Sequence, residues 1–213
     1  MTNPFLTKPN YVRIYGHRGA RGDAVENSIS GFKYTFDLGI KAIEFDVLIS
    51  KDNIPVLFHD YTLNTNMVKD ENGNWIDNFD LKIMDLTYDQ ISNYSIESLK
   101  PGSGYSDRFK NQKSVEGAKI PKLIDLFKLA NKENYKDVFL NLEVKSNPGL
   151  KDVTPEPKEM VATILKDIKD YNLEDRILVT SFDWRILYEL KKQNWSKVRT
   201  INLSEIIDIN SYN

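Results

Sequence analysis

The 213-residue sequence contains no cysteine and only two histidines, which excludes several classes of site at once. Without cysteine there is no disulfide framework, no thiolate metal site and no cysteine nucleophile. Basic residues are not in excess either, because 29 Lys and Arg are matched by 31 Asp and Glu. A protein that neutralises a phosphate backbone needs such an excess, so we expect no nucleic-acid partner.

Long apolar runs are also missing from the sequence. The first twelve residues are polar and include Pro4 and Pro9, so they lack the apolar centre of a signal peptide. No run approaches the roughly 20 apolar residues that span a bilayer. These features predict a cytoplasmic protein without stable membrane insertion. Because 40% of the residues are hydrophobic, we expect one globular domain over residues 1–213.

Short apolar runs rich in β-branched residues alternate with segments of helical period, which is typical of an α/β fold with a parallel sheet. Helices are predicted at residues 27–38, 121–131 and 156–171, and from the N-cap Asp183 to about residue 193. Strands are predicted at residues 12–16, 42–49, 55–58, 138–144, 177–181 and 198–202.

Residues 64–119 interrupt this alternation. They contain many turn signals and one clear helix start, a capping box that begins at Thr87. A loop-rich segment of this length inside a compact domain is usually a functional lid or an insertion.

Each histidine follows a predicted strand. His17 lies in Gly16-His17-Arg18-Gly19, and His59 lies between Phe58 and Asp60. A single histidine at a strand end is more often structural. Two at equivalent ends favour a ligand site, because parallel α/β folds bind ligands at the carboxyl ends of their strands.

Alternation along two predicted strands places charged side chains on one face. Glu44 and Asp46 share a face of one strand, and Glu143 and Lys145 share a face of another. Simpler interpretations are a solvated acidic edge strand and a plain Glu143–Lys145 ion pair. If the carboxylates instead point inward, they repel one another unless a cation compensates, and oxygen ligands suit Mg²⁺ or Ca²⁺.

The remaining charges suit a phosphate ester. Arg18 and Lys145 can bind phosphoryl oxygens. Two histidines in opposite protonation states can act as general base and general acid across a scissile phosphoester bond.

Together these motifs resemble the glycerophosphodiester phosphodiesterase family, from about Tyr11 to Phe182, with the intracellular bacterial members most similar. The family implies a TIM (β/α)8-type barrel with residues 64–119 as an insertion after the third strand. It also implies metal-dependent hydrolysis of a small-molecule glycerophosphodiester to glycerol 3-phosphate and an alcohol, in lipid and glycerol metabolism. The motifs are Gly16-His17-Arg18-Gly19, Glu26-Asn27-Ser28, Glu44-Phe45-Asp46-Val47, Phe58-His59-Asp60, Asp85-Leu86-Thr87, Ile120-Pro121-Lys122-Leu123, Leu142-Glu143-Val144-Lys145 and Ser181-Phe182.

The resemblance also implies roles for individual residues. Glu44, Asp46 and Glu143 would hold one divalent cation, Mg²⁺ or Ca²⁺. Arg18 and Lys145 would bind the non-bridging oxygens of the substrate phosphate.

For the reaction, the resemblance implies attack of the glycerol 2-hydroxyl on phosphorus and a cyclic phosphate that water then opens. We expect His17 to act as base and His59 as acid in the first step. Within the insertion, Tyr105 and Phe109 are candidates for lining the glycerol side, although aromatic residues more often anchor a loop.

The length of the chain departs from this family. An eight-fold barrel typically takes about 250 residues, and too few remain once the insertion is subtracted. Because only six strands are predicted, we expect the last two barrel strands to be absent from this chain. The explanations are a longer natural protein, a truncated gene product, or a homo-oligomer in which another copy completes the strand edges.

Two other functions are compatible with the motifs. One is a phospholipase D-like lyase that stops at the cyclic phosphate, but such relatives are mainly secreted and disulfide-bonded. The other is a catalytically inactive truncated module, which retention of both histidines and all three carboxylates disfavours.

Overall fold

The computed structural model describes residues 12–150 and 152–193, and the backbone of residues 199–202. The strands form one mixed sheet in the order β2-β1-β3-β4-β5. β2 runs antiparallel to β1, and the other neighbouring strands are parallel. The predicted α/β class is therefore confirmed. The strands are β1 (Ala42–Ile49), β2 (Pro55–Leu57), β3 (Phe139–Val144), β4 (Ile177–Ser181) and β5 (Arg199–Asn202).

Side-chain caps explain where several helices begin. Ser28 accepts a hydrogen bond from the Gly31 amide, and Asp183 accepts one from the Arg185 amide. Among the described residues, no helix is both long and apolar enough to cross a membrane. The helices are α1 (Ile29–Asp37), α2 (Tyr88–Ser92), α3 (Gly104–Arg108), α4 (Leu123–Ala130), α5 (Pro157–Asp170) and α6 (Trp184–Lys192), with 3-10 turns at Ile83–Asp85 and Glu133–Tyr135.

The main apolar core lies between one face of the sheet and the helices. Ile43, Phe45 and Val47 of β1 are fully buried in it. The Phe45 ring meets Phe32 of α1 edge to face, with ring centroids 6.0 Å apart. Because side chains alternate along a strand, this packing directs the even-numbered residues of β1 to the opposite face.

Residues 64–119 contribute to a second apolar core. Buried side chains from this segment, including Val68, Ile83 and Ile91, pack with Val56 and Phe58 beside β2. The predicted capping box at Thr87 is present and begins α2. α3, which is capped by the Ser103 hydroxyl, was not predicted.

The expectation of a wholly parallel sheet is wrong at β2. The chain turns over Ser50–Asn53, where Asn53 has φ 60° and donates its amide to the Ser50 carbonyl. A connection this short can only return the chain antiparallel.

The strand predicted at residues 12–16 is reduced to one bridge, between Gly16 and Ile43. β2 occupies the same edge of β1 from Val47 to Ile49, so only the beginning of β1 remains for this segment. The expected absence of the last two barrel strands concerns residues after Asn202, which lie outside the described residues.

Gly16 gives a test of the turn that begins the first motif. A Cβ atom at this position would lie 2.2 Å from the Gly19 carbonyl oxygen and 2.7 Å from Thr35 Cγ2. We expect Gly16→Ala to lower the free energy of unfolding by about 1–3 kcal/mol, measured by urea titration. Gly22→Ala is the control, because a Cβ atom added at Gly22 would have no heavy atom within 4 Å. Equal stability of the two variants would contradict the tight turn.

Candidate active site

The register between β1 and β3 brings three carboxylates together. Asp46 is paired with Glu143 across the two strands, and Glu44 lies two residues before Asp46 on the same face. One carboxylate oxygen from each residue lies within 4.8 Å of the others. The predicted alternation is therefore confirmed, and the acidic residues do not form a solvated edge, since Asp46 is only 1% exposed.

Glu44 is the member of this cluster that lacks a partner for one of its oxygens. Burial, and then the charge of Asp46, raise the pKa of Glu44 to about 8. Burial is also the main cause that raises the pKa of Glu143. Glu44 Oε1 is buried without a hydrogen-bond partner. A buried, unpaired oxygen beside two further carboxylates fits a hard divalent cation.

Lys145 is paired with the cluster. Its Nζ donates to Glu143 Oε1 at 2.7 Å and lies 3.7 Å from Asp46 Oδ1. Burial alone would lower the pKa of Lys145, but attraction to Asp46 and Glu143 raises it overall. The plain ion pair anticipated from sequence is thus present, and it leaves Glu44 uncompensated.

Arg18 lies between two buried carboxylates. Its Nη1 donates to Glu26 Oε1 at 2.8 Å, and its Nε lies 3.2 Å from Asp46 Oδ2. Its backbone has φ 51°, a left-handed conformation that is unfavourable for a non-glycine residue. The Arg18 amide donates to Glu44 Oε2 at 3.0 Å, which helps to hold this conformation.

Two residues that sequence reasoning quoted without assigning a role contact the site directly. Asn27 Nδ2 donates a hydrogen bond to Asp46 Oδ2 at 2.9 Å, and Asn27 Oδ1 accepts one from the Asp46 backbone amide at 3.2 Å. Glu26 is 2% exposed and binds Arg18. Their position in the motif Glu26-Asn27-Ser28, directly after the Arg18 turn, was the sequence signal that could have indicated a place in the site.

His17 lies at the mouth of the site. Its Nε2 is 3.7 Å from Glu44 Oε2, and its side chain is 61% exposed. Partial burial and then the charges of Arg18 and Arg21 lower the pKa of His17 below its ordinary value. The neutral ring, which can accept a proton, is therefore favoured near pH 7.

His59 reaches the same cleft by a different route from the one predicted. It follows β2, the antiparallel strand, and the preceding Phe58 amide donates to the Asp46 carbonyl at 3.2 Å. His59 therefore does not follow a parallel strand, contrary to the prediction. The return of the β1–β2 hairpin brings it back beside Asp46.

A carboxylate orients His59. Its Nδ1 lies 2.5 Å from Asp60 Oδ1, and Asn64 donates to Asp60 Oδ2 at 2.6 Å. Burial would raise the pKa of Asp60, but the hydrogen bonds from His59 and Asn64 lower it overall. An ionised Asp60 holds a proton on Nδ1 and leaves Nε2 for proton exchange.

The two histidines, both proposed phosphate-binding cations and one carboxylate of the cluster, Glu143, open onto one cleft of about 550 Å³. Tyr61 and Phe182 are its aromatic lining residues, and Phe182 lies with its ring centroid 5.9 Å from Lys145 Nζ. The other lining residues are His17, Arg18, His59, Glu143, Lys145, Ser146, Asn147 and Pro148.

Neither Tyr105 nor Phe109 is among the described residues that line this cleft. The Tyr105 hydroxyl donates to Glu26, and the Phe109 ring lies 4.5 Å from the Arg21 guanidinium carbon. Both residues contact the turn that carries Arg18 from the side of residues 64–119.

Comparison with solved structures supports the TIM-barrel type of fold. A candidate glycerophosphoryl diester phosphodiesterase from Silicibacter pomeroyi DSS-3 matches with a TM-score of 0.87 and 33% identity, over 97% of this chain and 70% of that one. A phosphodiesterase from Oleispira antarctica matches with a TM-score of 0.65 and 24% identity, over 93% of this chain and 68% of that one.

Comparison with curated sequences gives the same family. The glycerophosphodiester phosphodiesterase of Caldanaerobacter subterraneus subsp. tengcongensis is 30% identical over 183 residues, which cover 84% of this chain and 61% of that protein. That of Bacillus altitudinis is 26% identical over 80% of this chain and 58% of its own length. The chain thus spans about three fifths of these relatives. A sequence model of the glycerophosphoryl diester phosphodiesterase family matches residues 17–210, and the chain therefore belongs to this family.

Proposed function

We propose that this chain hydrolyses glycerophosphodiesters to glycerol 3-phosphate and an alcohol. The observation that carries the proposal is the cleft in which His17 and His59 stand beside Arg18, Lys145 and a buried carboxylate cluster. The curated relatives are named for this activity, and the Oleispira antarctica enzyme was solved with the product sn-glycerol-3-phosphate.

Arg18 and Lys145 would bind the non-bridging oxygens of the phosphodiester. Arg18 offers a planar fork of donors, and Lys145 a compact positive charge. Both cations lie within 4 Å of Asp46 oxygens, so the protein has fixed them before substrate arrives. Charges fixed in advance bind the phosphate, in the ground state as in the transition state, without a cost of reorganisation.

Glu44, Asp46 and Glu143 would hold one divalent cation, Mg²⁺ or Ca²⁺. The unpaired Glu44 Oε1 and the raised pKa of Glu44 support this role, because both indicate a missing positive charge. When bound, the cation would neutralise the phosphodiester charge and polarise a phosphoryl oxygen.

The histidines would exchange protons across the scissile bond. His17, whose lowered pKa favours the neutral ring, would take the proton of the glycerol 2-hydroxyl as its oxygen attacks phosphorus. His59 would give a proton to the leaving alcohol oxygen. In the second step the roles reverse, and a water molecule deprotonated by His59 opens the cyclic phosphate while His17 protonates the departing 2-oxygen.

We expect His17→Ala and His59→Ala each to lower turnover of glycerophosphocholine by at least about 10², because each removes a proton carrier. The circular dichroism spectrum and melting temperature should stay close to those of the parent protein. Lys166→Ala, on the exposed face of α5, serves as the control. Near-normal turnover in either histidine variant would remove that residue from the mechanism.

The product distinguishes hydrolysis from the lyase alternative. Phosphorus NMR of the completed reaction should show the open phosphomonoester, since the proposal includes opening of the cyclic phosphate by water. A cyclic phosphate that accumulates as the final product would instead assign the chain to the lyase type.

The pH dependence of stability tests the cation site. A carboxyl group with a raised pKa binds a proton in the folded state that the unfolded state has already lost. Ionising Glu44 therefore destabilises the metal-free protein as pH rises from about 4.5 towards 8. Because a cation replaces that proton, Mg²⁺ or Ca²⁺ should raise the melting temperature more at pH 8 than at pH 6.

Glu44→Gln supplies the matched variant for this measurement. It removes the ionisable group while keeping its size, so the metal-free protein should lose less stability towards pH 8. The metal-dependent rise in melting temperature should also shrink. If the cation raised the melting temperature equally at both pH values, or equally in the variant, the cation would be bound by other ligands.

A further inference from the structure

Tyr105, on α3, is linked to Arg18 through one buried carboxylate. The Tyr105 hydroxyl donates to Glu26 Oε2 and accepts a hydrogen bond from Arg21 Nη2 at 3.1 Å. The other oxygen, Glu26 Oε1, accepts from Arg18 Nη1 at 2.8 Å. Residues 64–119 therefore reach the proposed phosphate-binding arginine through a hydroxyl and a single side chain.

The position of Glu26 depends on having donors at both oxygens. Its side chain is 3% exposed, so solvent cannot replace a lost partner. Without the tyrosine hydroxyl, Oε2 would face only Arg21 Nε, which lies 3.5 Å away. The carboxylate would then turn towards Arg21, and that rotation would draw Oε1 away from Arg18.

The hydroxyl is suited to donate. Burial and the charge of Glu26 raise the pKa of Tyr105, so the phenol keeps its proton over the working range of pH. A hydrogen bond from a neutral donor to a buried carboxylate is among the stronger ones in proteins.

Residues that follow α3 bind this turn without using the hydroxyl. The Lys113 amide donates to the Asp23 carbonyl at 2.9 Å, and the Gln112 side chain donates to the Arg21 carbonyl at 2.9 Å. The Phe109 ring, at the end of α3, lies 4.5 Å from the Arg21 guanidinium carbon and packs edge to face on the Tyr105 ring, with centroids 5.1 Å apart. Removing only the hydroxyl should therefore leave α3 in place.

We propose that Tyr105 is a positioning residue for phosphate binding: through Glu26 it holds the Arg18 guanidinium in the orientation that receives a phosphoryl oxygen. This inference rests on the proposed function, because it takes Arg18 as a phosphate ligand. It replaces the expectation that Tyr105 lines the glycerol side of the cleft with a role in orienting Arg18.

Tyr105→Phe tests the inference, with inorganic phosphate as the probe. By calorimetry in Mg²⁺ buffer, we expect the variant to bind phosphate about tenfold more weakly than the parent protein, within the range of coupled contacts. KM for glycerophosphocholine should rise by a similar factor while kcat changes less than about twofold. Arg18 would contact the phosphate in the ground and transition states alike, and loss of such binding appears in KM.

Tyr88→Phe is the matched control. Tyr88 is a half-buried tyrosine of the same segment, and its hydroxyl donates to the Ile120 carbonyl at 3.1 Å. The Tyr88→Phe variant therefore loses one hydroxyl hydrogen bond, and that bond does not involve Glu26 or Arg18. Phosphate affinity and KM should match those of the parent protein, and a loss equal to that of Tyr105→Phe would overturn the inference.

A double variant shows whether the effect passes through Glu26. Glu26→Gln should weaken phosphate binding by itself, and adding Tyr105→Phe should weaken it no further, because the proposed effect of the hydroxyl on Arg18 passes through the Glu26 carboxylate. An equal loss in both backgrounds, unchanged affinity in Tyr105→Phe, or absence of phosphate binding in the parent protein would each overturn the inference.

These outcomes are separable from failure of the proposed function. A parent protein that binds phosphate but hydrolyses no glycerophosphodiester would refute the hydrolase proposal, while the phosphate affinities would still decide the role of Tyr105. A parent protein that hydrolyses the substrate, combined with unchanged phosphate affinity in Tyr105→Phe, would refute the positioning role alone.

Discussion

Burial of several carboxylates at one end of β1 and β3 is the constraint on which the rest of the site depends. The Asp46 carboxylate is contacted by three side chains, those of Asn27, Arg18 and Lys145. Buried like charges are tolerated only where cations and donors surround them. The Arg18 turn, the Asn27 amide and the end of β3 are therefore arranged around Asp46, and Glu44 is the member left without full compensation.

The sequence was sufficient where a local pattern determines the outcome. Alternation in β1 and β3 placed Glu44, Asp46 and Glu143 on one face, because the side chains between them are apolar and pack against helices. The start of α2 followed from the capping box at Thr87. Such features depend on neighbours within a few residues, and so a single sequence contains them.

Contacts between distant segments could not be predicted in this way. Glu26 and Tyr105 are 79 residues apart, and no periodicity relates them. Tyr105 and Phe109 were predicted as candidates for lining the glycerol side, but only the packing of α3 beside the Arg18 turn shows that Tyr105 contacts Glu26 and that Phe109 contacts Arg21. The direction of β2 was missed although the signal was present: the predicted strands at residues 42–49 and 55–58 leave only residues 50–54 between them, which is too short for a parallel crossover.

The β1–β2 hairpin makes the placement of His59 sensitive to the length of a remote turn. The turn at Ser50–Asn53 is hydrogen-bonded to Ile54, Leu86 and Tyr88, and it sets the register in which β2 returns along β1. A shift of one residue in that register reverses the two faces of a strand. A relative with one residue more or fewer in this turn could keep every motif of the site and still carry its second histidine outside the cleft.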